Sequence, residues 1–577
     1  MVGTTKDDEM TPPAPPVTRR RVRGDGVDLA VYEQGDRSRP TVLLVHGYPD
    51  THAVWDEVAA RLERHFHVVR YDVRGAGASS RPSGRGRYAF TYLMADIQAV
   101  LDATAPERKV HLVGHDWGSI QGWEAVCTMP DRFASFTSIS GPCLDHAGRW
   151  ARRRLARPTP SNLRTVAGQY ARSWYIGLFR TPLLPGLLWR SGLLPRLFSS
   201  ALERTEGLPA RPGHPASTLA RDGACGVALY RANMTRRLRR PLDRRTDVPT
   251  QVIVPTRDLF VSPHLVGGLA GRAPNLLIRP VAAGHWVPRS RPGLVARWVA
   301  EHIAAVTGEP LTAAETRALR GARAVAGRRP FDGSLVVVTG AGGAIGRATA
   351  LAFAERGAEV VAADLDADAA HRTARLAGIV GPAGHAYAVD VCDPAAMEAF
   401  AKSVMHEHGV PDVVVNATKG AAEDGKATSF LDHSPDDWRA ALDSGLWAVV
   451  HASRLFAAQM ADEGRGGHIV NTASAAAFTP SRSRSARSAG QAAALALTAC
   501  LRAELKSKGI GVSAVCPPAA GFRGLTGRVP GPDTVAERIV AAVQGDKAVV
   551  TVAHGTRLRR LLALVSPPLA RLLARVR

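Results

Sequence analysis

Residues 109–119 read KVHLVGHDWGS. A short apolar run ends at Gly114, helical periodicity begins at Trp117, and Asp116 stands between them, flanked by Gly114 and Gly118. Small residues at those two places let a chain turn sharply from a buried strand into a helix and leave the side chain between them exposed. The plainer reading is an aspartate that caps the following helix. The pentapeptide alone does not choose between them; the rest of the chain does.

Upstream, the strand-like TVLLV runs into HGYP (46–49), where a loop that binds an oxyanion belongs. Downstream, Asp258 follows TQVIVP, and His285 lies in AAGHW after another apolar run. The order nucleophile, acid, histidine has a known precedent in enzymes built on an α/β sheet. Strand-like runs (TVLLVHG, FHVVRYD, KVHLVGHD, SFTSISG) alternate with helical periodicity, which predicts a parallel sheet covered by helices. The rhythm breaks at about residue 143 and resumes after 246.

On these pieces, with YDVRGAGAS (71–79) and GHW added, residues 25–307 resemble an α/β-hydrolase of the epoxide hydrolase group. The resemblance makes 143–246 a cap domain and implies a cap tyrosine pair, for which Tyr230 (in LYRAN) and Tyr175 (in SWYIGLF) fit, with Tyr170 a competitor for the second place. It also implies roles. The Asp116 carboxylate opens the strained ring and forms an ester. Tyr175 and Tyr230 hydrogen-bond the departing oxygen. His285, oriented by Asp258, activates the water that cleaves the ester. Backbone N–H groups of Tyr48 and Trp117 stabilise the oxyanion. No cofactor or metal is expected there. Haloalkane dehalogenases share the nucleophile and the Trp after it, but Tyr48 stands where their second halide donor is often Asn.

The second half opens with VVVTGAGGAIGRA (336–348), a strand, a glycine-rich loop and a helix start. Such a loop lets backbone N–H groups approach a pyrophosphate. Asp364, 24 residues beyond Gly340, ends the next strand. A carboxylate there accepts both ribose hydroxyls and repels a 2′-phosphate, so NAD is expected over NADP. Residues 331–553 resemble a short-chain dehydrogenase/reductase, a Rossmann-like doubly wound domain. DVCD (390–393), IVNTAS ending at Ser474, and ELKSKGIGVSAVCP carry that likeness. It implies cofactor contacts from Gly340, Gly342, Gly343, Ile345, Gly346, Asp364, Asp390, Val391 and Asn416.

The likeness fails where that family does its chemistry. Counting from Ser474, its Tyr-x-x-x-Lys falls on RSAGQ (487–491), which puts Arg487 and Gln491 at those places. Arg stays protonated and Gln carries no charge, so neither role survives. The family's helix Asn falls on Gly445, NNAG has become NATK (416–419), and its later Pro-Gly and Thr fall on Pro517-Pro518 and Phe522. The reading is a dehydrogenase-like domain without its acid; NAD binding is left open, and an active NAD-dependent oxidoreductase with a variant mechanism is the rival.

The 577 residues hold 74 Lys+Arg against 51 Asp+Glu. An excess of 23 positive charges favours an anionic partner. No nucleic-acid reading motif accompanies the charge, so an anionic membrane surface is preferred. Arg is interleaved with Leu in the cap segment 175–202 and in residues 554–577, a basic amphipathic tail. Residues 1–24 are expected to be a disordered tail and 308–330 a polar linker. Six scattered cysteines with no C-x-x-C pair, no secretory signal and no long apolar run predict a cytoplasmic protein, peripheral to the membrane at most. Fused hydrolase–dehydrogenase chains of this layout, as found in actinobacteria, resemble the whole and imply oxidised fatty-acyl or mycolate-like lipid epoxides as substrates. A membrane-bound scaffold whose second domain senses NAD is the non-enzymatic rival.

Overall fold

The computed structural model describes residues 17–324, 328–418, 429–474, 477–478, 484–517 and 530–552. Lys419, Pro518, Phe522 and the basic segment 554–577 lie outside the described residues. The chain divides into two units between Leu311 and Thr312.

The first unit is built on eight strands: β1 Thr18–Arg23, β2 Asp28–Gln34, β3 Thr41–Val45, β4 His67–Tyr71, β5 Val110–His115, β6 Phe133–Ile139, β7 Thr250–Pro255 and β8 Leu276–Val281. Their order in the sheet is β1-β2-β4-β3-β5-β6-β7-β8. The pairs β1–β2 and β2–β4 are antiparallel, and the remainder are parallel. All five residues of TVLLV in β3 are buried, as a strand covered on both faces requires. Val42, Leu44, Val68 and Val113 pack with Trp55 and Trp298 in the main core.

The expected tail is corrected at its end, because Thr18–Arg23 is an edge strand paired residue by residue with β2. Its polar side chains find partners: Arg20 pairs with Glu33 at 2.7 Å, and Arg19 lies over the Tyr32 ring. Charged residues on an edge strand also discourage pairing with a second sheet.

Between β6 and β7 the chain leaves the sheet for six helices: Leu144–Leu155, Pro160–Arg172, Trp174–Arg180, Leu184–Arg190, Leu193–Glu206 and Leu219–Arg239. This is the segment that the broken sequence rhythm marked out.

The second unit carries a wholly parallel sheet of seven strands: β9 Leu335–Thr339, β10 Glu359–Asp364, β11 Gly384–Ala388, β12 Val413–Asn416, β13 Gly467–Thr472, β14 Ile510–Cys516 and β15 Val549–Thr551. The order is β11-β10-β9-β12-β13-β14-β15, so the chain reverses direction across the sheet beside β9. In such sheets the crevice at the strand C-termini beside that reversal is where ligands bind.

The expected linker is also corrected. Ala313–Ala322 is a helix, opened by a reciprocal Thr312–Glu315 capping box. Ala, Leu and Arg favour helix, and the buried Arg317 fastens it to the second unit through Glu359, 3.1 Å away.

Candidate active site

Asp116 leaves β5 with φ +51°, a conformation L residues rarely adopt, and the helix Trp117–Thr128 starts directly after it. The turn is tight enough to dictate its neighbours. A Cβ on Gly118 would lie 2.0 Å from the Val45 carbonyl, and one on Gly47 would lie 2.4 Å from the Asp116 Cβ. Strain of this kind persists only where the surroundings over-determine it, and it gathers at functional positions. The backbone N–H of Tyr48 donates to Asp116 Oδ1 at 2.7 Å. Trp117 opens the helix, where N–H groups have no partner within the helix itself.

Asp258, just beyond β7, accepts N–H bonds from Phe260 at 2.7 Å and Val261 at 2.9 Å on one oxygen. Its other oxygen lies 2.9 Å from Nδ1 of His285. Burial alone would raise the Asp258 pKa; the facing imidazole and the two N–H donors outweigh it and hold it below the usual carboxylate range. For His285 burial opposes charge, yet Asp258 and Asp116 together raise its pKa well above the ordinary histidine value. With Nδ1–H committed to Asp258, Nε2, 3.6 Å from Asp116 Oδ2, is the nitrogen that serves as base once the ring is neutral.

The cap brings two phenols to the same place. Tyr175, in the helix Trp174–Arg180, and Tyr230, in Leu219–Arg239, have ring centroids 5.9 Å apart. Tyr230 also packs edge-on against Trp117 at 4.9 Å and Tyr48 at 5.3 Å. Burial raises both pKa values and the Asp116 charge adds to it, so both remain O–H donors at any working pH. Tyr170, the competitor in sequence, is 66% exposed.

Three features were not visible in the sequence. Phe260 covers His285, with ring centroids 4.9 Å apart. Glu206, the last residue of the cap helix Leu193–Glu206, accepts the backbone N–H of His285 at 3.0 Å, and burial raises its pKa. A Cβ on Gly284 would sit 1.9 Å from a Glu206 oxygen, so a side chain there would displace that carboxylate. Asp50 binds His214 at 2.8 Å and the Trp286 indole N–H at 2.9 Å, tying the cap segment to the loop that carries His285. No local motif signals these contacts, which join residues 25 to 236 positions apart.

In the second unit the loop after β9 is closely folded. A Cβ on Gly346 would lie 2.1 Å from the Gly340 carbonyl. Asp364 Oδ2 accepts the Gly342 N–H at 2.8 Å, at the mouth of the loop and beside Gly343 and Ile345. Asp390 accepts the Cys392 N–H at 2.9 Å, with Val391 between them. Asn416 is buried and donates to Asn471 at 2.8 Å, which turns its side chain into the sheet. The loop and Asp364 therefore fit the pyrophosphate and ribose of a dinucleotide. Among the described residues, the positions where the likeness places the proton donor and its partner hold Arg487 and Gln491. Gln491 is buried and its amide nitrogen faces Gly445, 3.7 Å from where a Cβ would stand. Arg487 is half-buried one turn earlier on the helix Ser485–Leu505, and Ser474 is half-buried after β13.

Among the described residues one group of ligating side chains stands together: Glu359, His385 and His408. Arg317 already occupies Glu359, and Tyr387 lies 2.9 Å from His408, so the cluster is a closed polar network with a cation in it.

Two family models match the chain: alpha/beta hydrolase fold over residues 40–291 and short chain dehydrogenase over 334–522. The "Probable oxidoreductase EphD" of Mycobacterium tuberculosis is 38% identical, over 96% of this chain and 97% of its own length. "Epoxide hydrolase A" of the same organism is 30% identical, over 48% of this chain and 94% of its own length. The "1-deoxy-11-beta-hydroxypentalenate dehydrogenase" of Streptomyces exfoliatus is 36% identical, over 31% of this chain and 65% of its own length. A likeness of 38% that spans both units nearly end to end places the chain in the EphD family, and its own two parts match the alpha/beta hydrolase fold and short chain dehydrogenase models in that order.

Proposed function

We propose that the first unit hydrates epoxides to vicinal diols through an ester on Asp116. The observation that carries this reading is the convergence of a strained carboxylate, a histidine braced by Asp258, and two buried phenols within one closed site. An Asp116 oxygen attacks a ring carbon, the C–O bond breaks, and the departing oxygen takes a proton from Tyr175 or Tyr230. His285 then removes a proton from water, the hydroxide adds to the ester carbonyl, and the Tyr48 and Trp117 N–H groups hold the oxyanion. Collapse expels the second alcohol, which takes the proton of the added hydroxyl, and the proton on His285 passes back through water to the tyrosinate; the diol leaves and Asp116 keeps one oxygen from water. A serine could not serve, because its ether adduct would not hydrolyse.

Lipid or fatty-acyl epoxides are the substrates we favour, since Tyr48, Phe179, Trp189 and Phe260 make the surroundings of the phenols apolar. On this reading the chain works against an anionic membrane face. In the second unit the Gly340–Gly346 loop and Asp364 would hold NAD, and this unit performs no hydride transfer. NAD supplies a hydride acceptor wherever it is bound; here Arg487 and Gln491 stand where the proton donor and its partner belong, and the chain offers the substrate no acid.

The test is turnover of styrene oxide and of an epoxy fatty acid by wild type and Asp116→Ala, with labelled water. Diol formation that the substitution abolishes, with heavy oxygen entering Asp116, supports the proposal. Halide release from haloalkanes with no diol from epoxides would make the unit a dehalogenase. NADH produced from NAD and alcohols would show that the second unit is active.

A further inference from the structure

Residues 146–202 of the cap contain ten arginines and no aspartate or glutamate. The helices they form also leave large apolar side chains in solvent. Trp174 is 69% exposed, Leu183 67%, Tyr170 66% and Leu187 60%. Single exposed leucines are ordinary; a group of them rimmed by one sign of charge is not. Leu183 adds a second observation: its φ of +60° is a strained conformation for a leucine, held where the side chain points into water.

Beside Leu183 and Leu187 lies a groove of about 590 Å³. Three arginines wall it, Arg81, Arg190 and Arg231, together with Leu183 and Leu187, and no carboxylate lines it. Its volume is that of a small-molecule site. Guanidinium groups are the side chains of choice for phosphate, because they are weakly hydrated and donate in a fork. Arg231 donates to the Phe179 carbonyl at 2.8 Å, and the Phe179 ring packs against Tyr230 at 5.0 Å. The groove is therefore one residue removed from the catalytic phenols.

We propose that this cap face docks on a bilayer of anionic phospholipid, with a lipid phosphate seated in the arginine groove and Trp174, Leu183 and Leu187 in the interfacial layer. Aromatic and aliphatic side chains with an arginine rim match such a surface in both polarity and charge. A phosphate alone would explain the groove but not the exposed apolar side chains. A second copy meeting this face with the same face would bring positive charge against positive charge. The proposal rests on the hydrolase reading only for its consequence, that the site is served from the lipid phase.

The test uses the full-length protein with vesicles of phosphatidylcholine, with and without phosphatidylglycerol, at roughly 0.15 M salt, where the Debye length is about 8 Å. Wild type should sediment with the anionic vesicles and not with the neutral ones. The double variant Leu183→Asp/Leu187→Asp, and separately Arg190→Glu, should each weaken that binding about tenfold or more, since one interfacial charge counts for about a factor of five. Both should turn over styrene oxide in solution at the wild-type rate, which shows that they are folded. Failure of wild type to bind, equal binding to neutral vesicles, or undiminished binding by both variants would overturn the proposal. So would a dimer that the same substitutions dissolve, which would assign the face to a second copy. Because vesicle binding is read without turnover, Asp116→Ala should bind like wild type, and loss of the hydrolase reading would leave that result unchanged.

Discussion

The Nε2 of His285 lies 3.6 Å from Oδ2 of Asp116. The base thus faces the nucleophile's own charge, and that charge vanishes when Asp116 becomes an ester. In the resting enzyme two carboxylates raise the His285 pKa against the effect of burial; in the ester only Asp258 remains to do so.

The pH dependence follows. His285 must be neutral to take a proton from water, so ester hydrolysis should fall as pH drops through its pKa. That midpoint should lie below the His285 midpoint in the free enzyme, because the ester carries no charge. Single-turnover decay of the alkyl-enzyme against pH, compared with NMR titration of free His285, reads both. A decay midpoint at or above the free-enzyme value would contradict the argument. No alkaline limb from the phenols is expected, since both are raised.

Removing the base should separate the two half-reactions. His285→Gln keeps the ring-opening machinery but loses the group that activates water, so the ester should accumulate. Mass spectrometry of the variant after mixing with styrene oxide should find about one adduct per chain, on the peptide containing Asp116, while steady-state turnover falls by on the order of 10⁴-fold. An unmodified peptide would remove Asp116 from the mechanism.

The phenols should act before the ester and not after it. Tyr230→Phe should slow ester formation by about 10²-fold, as loss of one donor to a developing oxyanion does. Tyr175→Phe should slow it by a similar factor, and hydrolysis of a preformed ester should change little in either. Rapid-quench kinetics that located the loss in the second step would reassign the pair.

Arg74 and Asp96 should matter for stability alone. The two are fully buried and joined by paired bonds of 2.6 and 2.7 Å. Burial raises the Asp96 pKa and Arg74 offsets it. Arg74→Met leaves an uncompensated carboxyl and should cost about 3–5 kcal/mol. Adding Asp96→Leu should return most of that, which urea unfolding of the first unit can measure.

The hydrolase core was legible because each of its parts sits in a local pattern, a strand end followed by one chemical residue: Asp116, Asp258, His285. The cap tyrosines lie in helices that look like packing, and resemblance alone pointed to Tyr175 over Tyr170. Glu206 and Phe260 reach the site through tertiary contact with nothing beside them in the chain to signal it. The edge strand Thr18–Arg23 was missed because its stability comes from pairing with β2, not from apolar residues. The helix Ala313–Ala322 was missed because an Arg- and Ala-rich run reads as linker until Arg317 is seen buried on Glu359. In the second unit the glycine loop and the RSAGQ in place of Tyr-x-x-x-Lys were both legible, because each is a matter of spacing from a strand.

The Glu206–His285 bond has a mechanical meaning. One acceptor of the catalytic loop's backbone belongs to a helix that roofs the site, and Gly284 leaves no side chain to hold the loop in its stead. A displacement of that helix would break the bond and free the loop at the same point, so the cap helix and the proton acceptor share one anchor.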